Sequence, residues 1–141
     1  MKNIYKVKEL ARLIRVTIEK MDIEEFPNSS YFKDFPRGCC GDASNLLAKY
    51  LKENGFKTEY VCGMRGKQSH AWLEYMDLII DITADQFPEI KDKVIVTKDR
   101  TWYSQFDSQS RHEGDFDGLE SYNKRRLTSI YNNIIKRAFL K

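Results

Sequence analysis

Along the first stretch of the chain, apolar residues recur at three- and four-residue steps. Ile4, Val7, Leu10, Ala11, Ile14, Ile18 and Met21 fall on one stripe, which predicts an amphipathic helix from about Asn3 to Met21. Asp22 to Pro36 has no such period and reads as a connector, with the turn-like run Phe26-Pro27-Asn28-Ser29-Ser30. Pro36 disfavours helix at Phe35, so the chain is expected to be extended there. Helical spacing returns at Cys40, with Ala43, Leu47 and Leu51 on one row. This second helix should run to Asn54 and stop at Gly55, a left-handed cap position.

The period then shortens. Phe56 to Gly63, Ser69 to Tyr75 and Leu78 to Thr83 read as strands, with a turn at Gly63 to Gln68 and a Met76-Asp77 hairpin loop. Val94 to Thr97 is a fourth short strand. Ser104 to Gly118 is polar, holds two glycines and predicts a surface loop. Leu119 to Leu140 closes the chain as a helix with Tyr122, Leu127, Ile130, Tyr131, Ile134 and Ala138 on its apolar stripe. Helix, helix, three or four antiparallel strands and helix predict an α+β fold, with residues 1–141 as one domain.

Composition narrows the class. At 41% hydrophobic and 13% aromatic residues the chain has the material for a packed core and is not of disordered type. A net charge of +3, with both signs interspersed, makes no case for nucleic acid as a partner. No apolar run has the length of a membrane span, and the N-terminus lacks a signal-peptide core, so no membrane is implied. Three cysteines, two of them adjacent, make a poor disulfide framework and suit a reducing compartment; the expected location is cytoplasmic.

The candidate chemistry sits where the patterns change. Cys40 stands at the joint between a glycine-marked loop and a helix, where the helix dipole and the unpaired N–H groups favour a thiolate. His70 lies in the strand Ser69 to Tyr75. Asp81 lies in the apolar run Leu78-Ile79-Ile80-Asp81-Ile82, where a carboxylate is costly to bury without a partner. If Met76-Asp77 is the hairpin loop, Tyr75 faces Leu78 and Trp72 faces Asp81. His70 is then on the same face as Asp81, at a diagonal of about 7–8 Å. Cys, His and Asp together are the parts of an activated-thiol site.

Cys40 is preferred to Cys39 as nucleophile because its helical row, Ala43, Leu47 and Leu51, is apolar and should face the sheet on the side of the His70 strand. The Cys39 row begins with Asp42. Cys62 reads as a small buried hydrophobe and His112 as solvated. Trp72 reads as core or as a wall of the His70 site. Arg37 and Arg65 are candidates to hold an acidic substrate group. Lys124, Arg125, Arg126, Lys136, Arg137 and Lys141 give the closing helix a basic character.

A Cys at a helix start, His70-Ala71-Trp72-Leu73-Glu74 in a strand and Ile80-Asp81-Ile82-Thr83 in the next resemble the core of the transglutaminase-like superfamily, within the papain-like cysteine enzymes. The likeness covers about Phe35 to Phe87. It implies a papain-like core, with the nucleophile-bearing helix packed on a small antiparallel sheet. It also implies Cys40 as nucleophile, His70 as general base and acid, and Asp81 as the residue that orients the imidazole. The implied activity is that of an amide or acyl hydrolase or acyltransferase acting through a thioester on a protein, peptide or small-molecule amide, with no cofactor and no metal. The chain is smaller than calcium-dependent animal transglutaminases and has no acidic cluster suited to calcium. It is also shorter than the arylamine N-acetyltransferases, which the Arg37-Gly38 before its thiols brings to mind. The oxyanion would meet the Cys40 backbone N–H and one side-chain donor, Gln68 first and Gln86 second. Two other classes stay open: an inactive papain-like binding module, and a structural zinc domain using Cys39, Cys40, Cys62 and His70. Whether water or an amine is the acceptor, and the oligomeric state, are likewise left open.

Overall fold

The computed structural model describes residues 2–140, without the side chains of Lys2 and Ser108. Three helices, α1 (Lys2–Lys20), α2 (Cys40–Glu53) and α3 (Ser121–Phe139), accompany a five-stranded antiparallel sheet. Its strands are β1 (Glu59–Arg65), β2 (Gln68–Tyr75), β3 (Leu78–Asp81), β4 (Ile95–Thr97) and β5 (Asp107–Glu113). Their spatial order is β4-β3-β2-β1-β5, so β2, which carries His70, is central. Among the described residues, no helix is long and apolar enough to cross a membrane.

The stripe of α1 is buried as its spacing requires: Val7, Leu10, Ala11, Ile14 and Ile18 all enter the core. α2 ends in a Schellman motif. Phe56 N–H returns to the Leu51 carbonyl at 2.8 Å and Gly55 N–H to Lys52 at 3.0 Å, with Gly55 at φ +92°, where a side chain would be strained. Alternation along β2 and β3 then creates two cores. Leu73, Ile80 and Ile82 meet the three helices on one face. Val61, Trp72, Ile79, Phe87, Tyr103 and Phe106 form a second, aromatic core on the other. Each fully buried aliphatic or aromatic side chain contributes about 1.5–3 kcal/mol relative to exposure.

Several expectations are corrected. Ser104 to Gly118 is not a surface loop: it contains β5, the fifth strand, which pairs with β1, and Phe106 and Phe116 are buried. An edge strand bonded through its backbone needs no apolar alternation, and Asp107-Ser108-Gln109-Ser110-Arg111-His112-Glu113 shows none. His112 is exposed as expected but lies in that strand, stacked on Tyr60 at 4.5 Å. Tyr122 leaves the apolar stripe of α3 and is 53% exposed, while Arg126 turns inward. The connector folds into two short 3-10 turns, Ile23–Glu25 and Ser30–Asp34, before Phe35 becomes extended at ψ 132°. Lys141 lies outside the described residues.

Candidate active site

Cys40 is the first residue of α2, where backbone N–H groups lack partners in a preceding turn. No side chain caps this end through a hydrogen bond from the N-cap residue Cys39. The helix start is instead anchored through Asp42, whose carboxylate accepts two guanidinium nitrogens of Arg126 from α3 at 2.7 and 3.0 Å. Ser29 adds a hydroxyl at 3.3 Å. One turn on, Ser44 donates to the Ala71 carbonyl at 3.4 Å, which sets the beginning of α2 against the His70 end of β2.

The two adjacent thiols diverge. Cys39 is buried in the core beneath the helices, and burial, then the charges of Cys40 and Asp42, push its thiol up to about 12. It stays protonated at neutral pH. Cys40 is half-buried, and its side chain lies against His70.

The hairpin register places His70 as the two-residue turn requires. Tyr75 pairs with Leu78 and Leu73 with Ile80, so Asp81 stands across from Trp72 and diagonal to His70. The His70 side chain shares the aromatic face with Trp72, opposite the face on which Leu73 and Ile80 meet the helices, and Cys40 at the start of α2 lies against it. His70 Nε2–H donates to Asp81 Oδ2 at 2.6 Å, with both side chains essentially inaccessible. Asp81 Oδ2 also accepts the Tyr103 hydroxyl at 2.8 Å. Its Oδ1 accepts the Thr83 N–H at 2.9 Å and the Thr83 hydroxyl at 3.4 Å.

These four donors decide the charge state. Burial alone would raise the Asp81 carboxyl, but His70, Thr83 and Tyr103 hold it below the usual carboxylate range. Burial alone would lower the His70 imidazole. Asp81 first, then Cys40, overcome this and raise it to about 9. At neutral pH the pair is therefore an imidazolium held by a carboxylate, its desolvation offset by a full set of hydrogen bonds.

Aromatic rings enclose the imidazole: Phe87 at 5.1 Å, Trp72 at 5.7 Å, and Trp102 and Phe106 at 5.8 Å between centroids. Arg65 caps this box, its guanidinium over Phe87, Trp102 and Phe106 at 5.0–5.5 Å and bonded to Glu89 at 2.6 Å. Trp102 Nε1 donates to the same Glu89 at 3.0 Å, and together with Arg65 it brings that carboxyl down to about 2. Gly63, opposite His70 in β1, makes the closure possible. A Cβ there would stand 3.0 Å from the Asp107 carbonyl and 3.1 Å from Phe106 Cβ.

Of the two glutamines, Gln86 reaches the site and Gln68 does not. The Gln86 amide is 3.1 Å from His70 Nδ1 and can donate to the neutral ring or accept from the charged one. It sits in the 3-10 turn Ala84–Gln86. Arg15 of α1 fixes that turn, bonding both oxygens of Asp85 at 2.7 and 2.8 Å and the Ile82 carbonyl at 2.8 Å. Gln68 pairs with Arg65 across the tight turn between β1 and β2, is exposed, and accepts from the Arg65 guanidinium at 3.2 Å. Arg65 is thus committed within the protein. Arg37 is exposed on a separate groove with Asp34, Phe35, Pro36 and Gly38. Cys62 is half-buried, not core, and its sulfur is 3.1 Å from the Ser110 hydroxyl of β5. The four residues of the zinc alternative do not gather: among the described residues, no group of three or more His, Cys, Asp or Glu side chains is placed to hold a metal. Tyr103 and the Trp102 and Phe106 walls carried no sequence signal, since they lie outside any periodic segment.

Comparison with known proteins stands beside this geometry. No family model matches the chain, and no solved structure matches it. The chain is 36% identical over 72 residues to uncharacterized protein YuaU of Escherichia coli (strain UTI89 / UPEC), a match covering 46% of this chain and 33% of that protein. The chain thus spans about a third of the length of that relative.

The His70–Asp81 pair sets a pH window. His70 is raised from 6.5, so its contribution to stability is full below about pH 6.5 and is lost as pH rises through about 9. Asp81 is lowered from 3.8, so its contribution is present above about pH 4 and is lost as pH falls. Urea unfolding should show stability falling by up to about 3 kcal/mol between pH 6.5 and 9.5. His70→Gln should remove that slope, and an equal slope in both proteins would contradict the assignment.

Proposed function

We propose that the chain has a transglutaminase-like, papain-like core and acts as a cysteine-dependent amide or acyl hydrolase or acyltransferase. One observation carries the reading. A buried His70–Asp81 pair, closed at 2.6 Å, has the half-buried Cys40 of a helix start against its imidazole. Three residues distant in sequence that approach one another in this way are the set a thiol nucleophile uses, which supports the reading.

In this reading Cys40 Sγ attacks the carbonyl carbon and its proton resides on His70 Nδ1. The oxyanion meets the Cys40 backbone N–H. His70 returns the proton to the leaving amine as the C–N bond breaks, and the acyl group remains on sulfur as a thioester. Water or a second amine then gives its proton to His70, attacks the thioester, and releases the Cys40 thiol. Asp81 keeps Nε2–H engaged, so Nδ1 is the atom that exchanges the proton. Gln86 contacts the ring at that atom and yields it for the transfer, and the aromatic box keeps water from competing for it. The substrate class is a protein, peptide or small-molecule amide.

Limiting iodoacetamide at neutral pH tests the reading. Cys40 should be alkylated before Cys39 and Cys62, and the rate should fall at least about tenfold in His70→Ala. Labelling of all three cysteines at the rate of a free thiol peptide, unchanged by His70→Ala, would instead fit a non-catalytic binding module.

A further inference from the structure

Around Cys40 most polar side chains are already committed. Gln86 meets His70, Ser44 meets the Ala71 carbonyl, Tyr103 meets Asp81, and Cys62 meets Ser110. Tyr60 is not. It pairs with Leu73 in β1, so its ring lies on the face that α2 covers, packed against the core there. Its hydroxyl reaches the first turn of α2: a Cβ built on Gly41, the residue after Cys40, would stand 3.0 Å from Tyr60 Oη. The ring is fixed from the other side by His112, stacked at 4.5 Å and 15°. The hydroxyl makes no hydrogen bond among the described residues. Burial first, then the charge of Cys40, keeps the phenol protonated, so it is available as a donor.

We propose that Tyr60 is a catalytic residue, the second oxyanion donor, binding the acyl oxygen together with the Cys40 backbone N–H. The inference rests on Cys40 as the nucleophile. It replaces the glutamines in that role: Gln68 is held at the hairpin end and Gln86 belongs to the imidazole. It gives Gly41 a reason, since a side chain there would occupy the place from which the hydroxyl approaches. It also orients the substrate, with its carbonyl oxygen toward Tyr60 and the start of α2 and its leaving group toward His70.

Two reactions of one thiol separate an oxyanion donor from a group that merely supports the fold. p-Nitrophenyl acetate acylates sulfur through a tetrahedral oxyanion: the S–C bond forms, p-nitrophenolate leaves, and the thiol proton remains with the enzyme. Iodoacetamide alkylates sulfur by displacement of iodide, with no oxyanion. Tyr60→Phe keeps the ring on His112 and should slow acylation by about 100-fold while leaving alkylation within about twofold. Gly41→Ala, which pushes the hydroxyl aside by a few tenths of an ångström, should show a smaller loss of the same selectivity. Unchanged acylation in Tyr60→Phe, or an equal fall in both rates, would overturn the proposal. A selective loss in Gln86→Ala with none in Tyr60→Phe would overturn it too. Acylation and alkylation that both persist in Cys40→Ala would overturn the underlying assignment of the nucleophile instead.

Discussion

Asp81→Asn should lower the rate of Cys40 acylation on the order of 10⁴-fold while the protein remains folded. The aspartate accepts four donors: His70 Nε2–H, the Tyr103 hydroxyl, and the N–H and hydroxyl of Thr83. Asparagine has the same shape but must direct an NH2 group at one of these sets. If the NH2 meets His70, the ring is driven to the tautomer with its proton on Nδ1 and can no longer take one from Cys40. Losing the carboxylate also removes the largest influence that raises His70, so its titration should move well below 9. Steady acylation kinetics and a histidine NMR titration read the two effects separately. Activity within tenfold of the parent would show that Asp81 does not orient the imidazole. An Asp81→Asn variant that unfolds would assign the residue to structure.

The second large effect is on stability. Trp72→Ala should cost about 3–5 kcal/mol. Trp72 is fully buried at the centre of the aromatic core, 4.9 Å from Tyr103, 5.7 Å from His70 and 5.8 Å from Phe106. Its Nε1 donates to the buried Glu74 at 3.1 Å. Truncation opens a cavity that the surrounding rings, fixed by one another, cannot close. Trp72→Phe refills most of that volume, and Glu74 keeps Arg100 at 2.6 Å and Arg111 at 2.8 Å, so the loss should be less than half as large. Urea midpoints measure both. A loss below about 1 kcal/mol for Trp72→Ala would place the ring outside the core.

The elements that were legible in the sequence are those whose signal is local. The stripe of α1, the Gly55 stop of α2 and the Met76-Asp77 turn depend on periodicity and turn chemistry, and the register of the His70–Asp81 diagonal follows from the turn by counting. β5 was not legible because a polar edge strand is defined by backbone bonds to β1, which leave no trace in side-chain alternation. The face on which His70 emerges was hidden for a related reason: alternation says which residues share a face, not which face α2 covers. Tyr122 lies in the first turn of α3 and stays exposed, while Arg126 on the same row turns inward to the Asp42 carboxylate, a tertiary partner that hydropathy does not reveal. Gln86, the second of the two glutamine candidates in the sequence, reaches the imidazole through the turn fixed by Arg15, and the approach of Tyr60 to the start of α2 is a tertiary contact that the pattern does not show.

The central claim is that Cys40, activated by His70 and Asp81, carries an acyl group as a thioester. The direct measurement is tandem mass spectrometry of the protein quenched in acid after brief exposure to p-nitrophenyl acetate. Acetyl is expected on Cys40, removed by neutral hydroxylamine, retained in Cys39→Ser and lost in His70→Ala. Acetyl on Cys39 or Cys62, or on Cys40 to the same extent with and without His70, would contradict it.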